Sequence, residues 1–285
     1  MHGDGVYYTT VNYVFIQVFS CVYGFFLKQS ATRTTRPWNQ SLSSIVFILC
    51  HDKESSAVAT RQFSTQFPWA YAYFIPSTYY FETYFYSHIL GTIMDDMKLF
   101  SSNTNNNISW IGSLSWKADE KTNLAVVNYM ITDLALNSYD VLGFYDMDDS
   151  VWELTEVFHP GMMETMVYML QGVGESTSDI EKLKLGKPAF QNFFGTYFVT
   201  RPRHMKGYID WLSKIIRFMT TDRKAQNMMW SNSGYGGNMD AAKKVFGLSY
   251  YPMHPFLGER FVQYYFNVRG FKVMLMSDYR TMKGI

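Results

Sequence analysis

Three short apolar runs that end abruptly in polar residues most limit how this chain of 285 residues can fold. They are residues 44–50 (SIVFILC), which precede His51 and Asp52, residues 108–114 (ISWIGSL) and residues 141–145 (VLGFY). Apolar runs of this length are typical of strands that are buried on both faces of a parallel sheet. We therefore predict three strands, each of which delivers polar side chains to one edge of the sheet.

A helical pattern lies between the second and third of these strands. In residues 123–137, Leu124, Val127 and Leu134 recur at helical spacing together with either Met130 or Ile131. The order strand, helix, strand favours a mostly parallel central sheet flanked by helices. The predicted fold class is therefore α/β, with one domain spanning residues 44–285.

Further elements are predicted along the rest of that domain. The clearest helix covers residues 203–219, where an apolar stripe is expected to face the core and the charged residues to face water. Residues 68–90 are so aromatic that periodicity cannot separate helix from strand, and we expect mixed strand and loop there. The remaining expectations are helices over 161–173 and 256–268, strands over 189–202 and 271–276, and a flexible loop over 231–238.

Residues 1–43 form an N-terminal extension in this interpretation. Within it, residues 11–27 are strongly apolar and are followed by basic residues, which resembles a weak signal anchor. Its length is at the lower limit for crossing a bilayer, so two alternatives stay open, a membrane-associated segment or an element packed on the body. No small-residue cleavage site of the A-x-A type follows it. We expect a cytoplasmic protein, with membrane contact through residues 11–27 as the alternative.

Composition excludes several classes of protein. Lys and Arg number 25 against 24 Asp and Glu, and the basic residues are scattered, which disfavours a nucleic-acid partner. Cys21 and Cys50 lack metal-ligand spacing and indicate buried thiols of a reducing compartment. No Walker loop, Gly-x-Ser-x-Gly elbow or dinucleotide-binding glycine pattern occurs. The aromatic fraction of 18% suits a large core, and also suits stacking on sugars or bases.

An acidic cluster follows the third predicted strand. Asp146 and Asp148 are spaced so that their hard oxygen atoms could hold one Mg²⁺ or Mn²⁺ while a diphosphate supplies further oxygen ligands. Such an ion would act as a Lewis acid on a departing diphosphate. Open α/β sheets bind ligands beyond the carboxyl ends of their strands, which is where this cluster lies. The alternative is a solvated turn, with Asp149 as the N-cap of the next element.

Six segments taken together resemble a known family. They are residues 44–53, 108–117, 139–149, 158–166, 192–212 and 254–266, and the most distinctive parts are RPRHMKGYIDWL and PFLGERF. In order and spacing they resemble the glycosyltransferase-like proteins of bacterial capsule clusters and large DNA viruses, over about residues 44–275. The resemblance implies a GT-A-like fold that moves a sugar from a UDP-linked donor to a glycan acceptor. It also implies that Asp146-Met147-Asp148 is the motif that holds Mn²⁺ or Mg²⁺.

An inverting transfer needs a general base close to the acceptor hydroxyl. Glu259 in FLGERF is the first candidate for this base and Asp149 is the second. The alternative for Glu259 is an ordinary ion pair on a helix surface with Arg260. Arg260 and His254 are the candidate acceptor-binding residues. His254 and His159 both adjoin prolines, but no histidine or cysteine spacing supports a zinc site.

The donor is expected to meet the ends of the first two strands. His51 and Asp52 follow the first strand, and Trp116 and Lys117 follow the second. With Asp146 they are the candidate donor-binding residues. The alternatives are turn chemistry for His51 and Asp52 and a core position for Trp116.

These observations predict a metal-dependent glycosyltransferase, transferring a hexosyl or pentosyl unit, that builds a surface polysaccharide or a viral glycan. The main rival is a non-catalytic carbohydrate-binding or envelope-associated protein on the same scaffold. A metal nuclease or phosphatase that uses the same acids is disfavoured by the scattered basic residues.

Overall fold

Strands and helices alternate along most of the chain. The computed structural model describes residues 43–75, 81–99, 108–147, 150–187, 189–237 and 239–285. The strands are β1 Ser44–Cys50, β2 Ala70–Phe74, β3 Trp110–Ser115, β4 Val141–Gly143, β5 Phe198–Thr200 and β6 Val273–Leu275. The helices are α1 Lys53–Ala59, α2 Phe81–Tyr84, α3 Gly91–Asp96, α4 Ala118–Lys121, α5 Leu124–Thr132, α6 Val151–Phe158, α7 Met162–Gly172, α8 Thr177–Glu181, α9 Pro202–Thr221, α10 Arg223–Met229, α11 Met239–Phe246, α12 His254–Val268 and α13 Met276–Lys283.

Within the described residues the strands form one mixed sheet in the order β2-β1-β3-β5-β4-β6. β1 pairs in parallel with β2 and β3, and β4 pairs in parallel with β6. β5 runs antiparallel between β3 and β4, so it joins the two parallel groups. The carboxyl ends of β1, β2, β3, β4 and β6 therefore meet at one edge, and β5 begins there. The predicted α/β class with a mostly parallel sheet flanked by helices is confirmed.

Side chains of β1 enter both faces of the sheet. Val46, Ile48 and Cys50 belong to one buried cluster, packed against α1, α5 and α13. The intervening residues of β1 belong to a larger cluster on the other face, which includes the apolar stripe of α9 and most of α12. Burial on both faces explains why the β1 sequence is apolar without alternation.

The centre of the sheet depends on a glycine. A Cβ atom at Gly112 of β3 would lie 2.1 Å from the carbonyl oxygen of Phe198 in β5. No side chain fits between the two backbones at this point, so residue 112 must be glycine for β3 and β5 to pair.

Three predicted strands and the longest helix are present where the sequence indicated them. β1, β3 and β4 occupy the three apolar runs, although β4 ends at Gly143 instead of Tyr145. The predicted stripe of α9 is buried and its charged face is exposed. The strand expected over residues 189–202 is limited to β5, because residues 191–197 form a loop at the edge of the sheet.

The expectation of mixed strand and loop over residues 68–90 is wrong in its second half. β2 ends at Phe74, and residues 81–96 form a continuous helical segment of α2, a π-helical stretch over Phe85–Leu90, and α3. Phe85, Tyr86 and Leu90 are buried in this segment. Aromatic residues occupy positions beyond the core-facing side of this helix. The sequence therefore shows no clear helical periodicity.

The N-terminal predictions fall outside the described residues. Residues 1–42, which include the apolar segment 11–27 and Cys21, are in this group. In the part of the chain that is described, every helix is too short or too polar to cross a bilayer. Cys50 is a free, buried thiol at the end of β1, and burial raises its pKa to about 12.

Candidate functional site

Several charged side chains gather at the carboxyl edge of the sheet. His51, directly after β1, forms an ion pair with Glu82 of α2 over 3.4 Å between Nε2 and Oε1. Both side chains keep 25% of their surface exposed. Burial would lower the pKa of His51, but its hydrogen bond and charge contact with Glu82 raise that pKa above its usual value. Burial opposes ionisation of Glu82, but the contact with His51 lowers its pKa overall, so each partner favours the charged form of the other.

Glu259 lies beside this pair, in the second turn of α12. Close backbone packing fixes it from two sides. A Cβ atom at Gly258 would lie 2.0 Å from Oγ1 of Thr83 in α2, and one at Gly195 would lie 2.5 Å from the Cα atom of Glu259. Glycines at these positions therefore allow α2 and the loop before β5 to press against α12 where Glu259 sits.

The carboxyl group of Glu259 has an unusual environment. Burial raises its pKa from 4.5 to about 7; the charge of Arg260 opposes the rise and the charge of Glu82 adds to it. The side chain still keeps 24% exposure, so a ligand can reach it. A carboxyl group that is half ionised near pH 7 and open to a ligand suits proton transfer.

Arg260 points from α12 towards α6. Its Nε donates to Oγ1 of Thr155 over 3.1 Å, and its Nη1 lies 3.6 Å from Oε2 of Glu259. The residue is 4% exposed, and Nη1 lacks a hydrogen-bond partner among the described residues. Arg260 and Glu259 therefore form a recessed pair, and the prediction of an ordinary ion pair on the helix surface does not describe them.

The loop after β4 reaches the same part of α12. Nε2 of Gln263, a fully buried residue, lies 3.7 Å from Sδ of Met147. The acidic loop and α12 are far apart in the sequence and in contact in the structure.

Lys121 at the end of α4 provides a further positive charge. Its Nζ atom lies 5.0 Å from the ring centroid of Phe194 and 5.8 Å from that of Tyr197. Its charge helps to lower the pKa of Glu82. The same charge opposes the rise in the pKa of Glu259. The edge of the sheet thus brings together carboxyl groups from α2 and α12 and basic side chains from the β1 end and α4.

Asp146 has a structural role in the described geometry. Its Oδ1 accepts a hydrogen bond from the backbone N–H of Met276 over 3.1 Å, and Oδ2 accepts one from Ser277 over 2.8 Å. The Nζ atom of Lys187 lies 3.8 Å from Oδ2. Asp146 therefore ties the end of β4 to the first turn of α13, where backbone N–H groups lack helical partners.

Only part of the predicted Mn²⁺ or Mg²⁺ site lies among the described residues. Both oxygens of Asp146 already accept backbone hydrogen bonds, and Lys187 places a positive charge beside them. Asp148 and Asp149 lie outside the described residues. No group of three or more potential metal ligands occurs among the described histidines, cysteines and acids. The metal site at Asp146 and Asp148 therefore stays a prediction.

The N-cap proposed for Asp149 belongs to its neighbour. Oγ of Ser150 accepts the backbone N–H of Glu153 over 3.1 Å, and it donates to the Glu153 carboxylate. Ser150 therefore caps α6, and the prediction that Asp149 does so is wrong. The role of Asp149 as a second-choice base is untested.

The other predicted donor-binding residues lie at the expected edge. Asp52 is exposed and caps α1, since its Oδ1 accepts the backbone N–H of Ser55 over 2.7 Å and Oγ of Ser55 accepts the N–H of Asp52. Trp116 is half-buried after β3, and Nζ of Lys117 lies 5.1 Å from its ring centroid. Trp116 and Lys117 could thus border a ligand, whereas the described contacts of Asp52 are those of a capping residue.

His254 lies away from any surface. It is 2% exposed and packs against the rings of Trp230 and Phe246, with centroids 4.7 and 5.5 Å away. Burial lowers its pKa to about 3, so the ring is neutral at pH 7. The predicted contact between His254 and an acceptor does not fit this buried position.

Sequence reasoning missed Glu82 and Lys121. Glu82 stands in the aromatic segment YYFETYFY, and a single carboxylate among so many aromatic residues is the signal that could have found it. Lys121 has no such signal, because it follows Asp119 and Glu120 in an ordinary polar turn.

Comparison of this chain with protein-family models, with curated proteins and with solved structures gives no match. The functional argument therefore depends on the residues of this chain.

Proposed function

We propose that this protein is a GT-A-like glycosyltransferase that moves a sugar from a nucleotide-sugar donor to a hydroxyl group of a glycan acceptor, with Glu259 as the general base. The observation that carries the proposal is the Glu259 carboxyl group, whose pKa is raised to about 7 in a recessed but reachable position. It lies at the carboxyl edge of a mostly parallel sheet, where open α/β folds bind nucleotides.

The reaction would proceed by a single displacement. The ionised Glu259 takes the proton of the acceptor hydroxyl as its oxygen attacks the anomeric carbon of the donor. The bond from that carbon to the diphosphate oxygen breaks, and the diphosphate leaves with the electron pair. Negative charge therefore grows on the diphosphate, and preorganised cations stabilise such charge in a site shielded from water.

This chain supplies basic side chains near that position. His51 at the end of β1 and Lys121 of α4 lie on the side where the donor is proposed to bind. Lys117 and Trp116 would extend the donor subsite towards the end of β3. Arg260 keeps its proposed place next to Glu259, on the acceptor side. No step depends on the predicted metal.

A ligand screen tests this proposal directly. UDP-linked sugars, other nucleotide sugars and free UDP would each be added to the purified protein, with Mn²⁺ and with a chelator, and the melting temperature recorded. A donor present at 100 times its Kd stabilises the native state by about 2.7 kcal/mol, which gives a clear upward shift. Slow hydrolysis of the same nucleotide sugar would be followed in parallel.

The outcomes separate the function from the metal prediction. A shift with one nucleotide sugar in chelator supports the function and contradicts the metal site. A shift that needs Mn²⁺ supports both. If no nucleotide shifts the melting temperature under either condition, while the protein binds oligosaccharides, the non-catalytic carbohydrate-binding rival is correct.

A further inference from the structure

An exposed aromatic ring lies on the loop between α10 and α11. Tyr235 keeps 44% of its surface exposed, in the glycine-containing segment 231–237. The sequence predicted a flexible loop here, and the structure shows a loop that contacts neighbouring segments.

Hydrogen bonds tie this loop to two neighbouring segments. The backbone N–H of Ser233 donates to the Tyr251 carbonyl over 2.9 Å, and the Ser233 carbonyl lies 3.2 Å from Nδ1 of His159. Asn232 bridges to Pro252 and caps the turn through a bond from the N–H of Gly234. Gly234 has a φ of +71°, which is unfavourable for residues with a side chain.

Three aromatic side chains lie close to the Tyr235 ring. The ring centroids of Tyr251 and Phe256 are each 5.3 Å away, and that of His159 is 6.1 Å away. A Cβ atom at Gly237 would lie 2.0 Å from the Tyr235 ring, so glycine is needed for the ring to occupy this place. The tyrosine ring therefore packs against several neighbours while 44% of the residue's surface stays exposed.

The supporting residues connect this ring to the candidate site. Phe256 precedes Glu259 by three residues on α12, which is about 4.5 Å along the helix axis, on the same side of the helix. His159 stacks on Phe256 with a centroid distance of 3.9 Å. Tyr235 is thus the exposed end of an aromatic row that begins one helical turn from the proposed base.

We propose that Tyr235 is a stacking platform for a pyranose ring of the glycan acceptor, at a subsite next to the one where the proposed transfer occurs. The role of the bound glycan as the acceptor rests on the proposed function. The binding of a glycan at Tyr235 does not.

The chemistry around the ring favours a sugar over other stacking ligands. Among the rings beside Tyr235, His159 favours its neutral form, because burial and the nearby charge of Arg260 lower its pKa more than its hydrogen bond with Ser233 raises it. A nucleic acid would need cations for its phosphates, whereas a pyranose offers an apolar C–H face and hydroxyl groups at its rim. Tyrosine matches this with an apolar ring and a polar hydroxyl.

The test is binding to an array of α- and β-linked hexose, hexosamine and pentose oligosaccharides, followed by titration of those that bind. We expect Tyr235→Ala to weaken binding roughly three- to tenfold, the range for loss of one aromatic contact. Tyr235→Phe should retain most of the affinity. Gly237→Ala keeps the tyrosine but displaces its ring, and should weaken binding as Tyr235→Ala does. Melting temperatures verify that each variant is folded.

Tyr129 is the matched control, because it is a tyrosine with 57% exposure on α5. Tyr129→Ala should bind glycans as the wild type does. The proposal is overturned if no oligosaccharide binds the wild type, or if Tyr235→Ala binds as tightly. If glycan binding depends on Tyr235 but no nucleotide sugar binds, the proposed transfer fails and the glycan surface stands.

Discussion

The two edges of the sheet use the same kinds of side chain in opposite ways. At the amino edge, Arg201 donates hydrogen bonds to the backbone carbonyls of Ser109, Leu136, Asn137 and Tyr139, and its Cζ lies 3.5 Å from the Trp110 ring centroid. At the carboxyl edge, Arg260 makes one hydrogen bond to a side chain and leaves Nη1 without a partner among the described residues. An arginine whose three nitrogens all have backbone partners stabilises the fold, whereas the Nη1 atom of Arg260 has a donor left over for a ligand in the proposed site.

The acids of the two edges differ in the same way. Asp140 at the amino edge accepts a hydrogen bond from the backbone N–H of Lys272 and lies 3.0 Å from Nε2 of His204. Glu259 at the carboxyl edge has Arg260 at 3.6 Å and a pKa raised to about 7. The comparison predicts that changes at the carboxyl edge affect activity and that changes at the amino edge affect stability.

The largest effect is expected from Glu259→Gln. Loss of the general base should reduce the transfer rate by roughly 10² to 10⁴-fold. The measurement is steady-state transfer with the donor found in the ligand screen. Glu181→Gln, which changes an exposed acid paired with Lys184, is the control and should have wild-type activity. Retention of full activity by Glu259→Gln would show that another group is the base.

The same substitution should change the pH dependence of stability. The pKa of Glu259 rises from 4.5 to about 7 on folding, so between these pH values the native state binds more protons than the unfolded state. The stability of the wild type relative to Glu259→Gln should therefore fall by about 1–3 kcal/mol as pH rises from 4.5 to 7. Urea unfolding of both proteins across this range measures it. A constant difference would contradict the raised pKa.

Arg201→Ala should destabilise the fold by about 3 kcal/mol, because it removes several hydrogen bonds and leaves carbonyl groups without partners. Urea unfolding gives this value. Arg203→Ala, the exposed neighbour, should remain within about 0.5 kcal/mol of the wild type. Nucleotide-sugar binding should be unchanged in both variants. If folded Arg201→Ala binds nucleotide sugars more weakly than the wild type, the amino edge also affects ligand binding and the proposed difference between the two edges is wrong.

Glu82→Gln tests whether the second carboxylate sets the working pH. Because Glu259 must be ionised to act as a base, activity should rise with pH through a midpoint near its pKa of about 7. Removing the negative charge of Glu82 lowers the pKa of Glu259 and moves that rise to lower pH. Glu82→Asp keeps the charge and should keep the profile closer to that of the wild type. Identical pH profiles for Glu82→Gln and the wild type would exclude this coupling.

The smallest effect is expected at Asp52. It lies at the carboxyl edge, but its described contacts stabilise the fold, as those of Arg201 and Asp140 do at the amino edge. Asp52→Ala removes the N-cap of α1 and should cost about 1 kcal/mol. Asp52→Ser retains a capping oxygen and should restore most of that stability. If Asp52→Ser is stable but no longer binds the donor, the predicted donor contact of Asp52 is correct.

Sequence patterns predicted the framework better than the site. β1, β3 and α9 were predictable because burial on two faces or on one stripe leaves a periodic apolar signal. The helix over residues 81–96 was hidden, since its aromatic residues extend beyond a single stripe. Glu259 could be selected from FLGERF, but its raised pKa depends on α2, the loop before β5 and α12 meeting through Gly195 and Gly258. Contacts between distant segments leave no local pattern.

Asp146 makes hydrogen bonds that its sequence pattern does not predict. Its spacing to Asp148 predicts a metal ligand, but both its oxygens bind backbone N–H groups at the start of α13, 130 and 131 residues further along the chain. A sequence shows which groups can bind a cation. It does not show which of them also accept hydrogen bonds from a helix end.

The antiparallel strand between β3 and β4 also influences the order in which the protein can fold. β1, β2 and β3 can pair with one another as soon as residue 115 has been synthesised, whereas Val141 of β4 pairs with Thr200 and Val273. Pairings between residues so distant in sequence form slowly because closing the intervening chain costs entropy. His51 therefore belongs to the part of the sheet that can form early, and Glu259 to the part that completes it. The candidate site that contains both residues is assembled only when nearly the whole chain has been made.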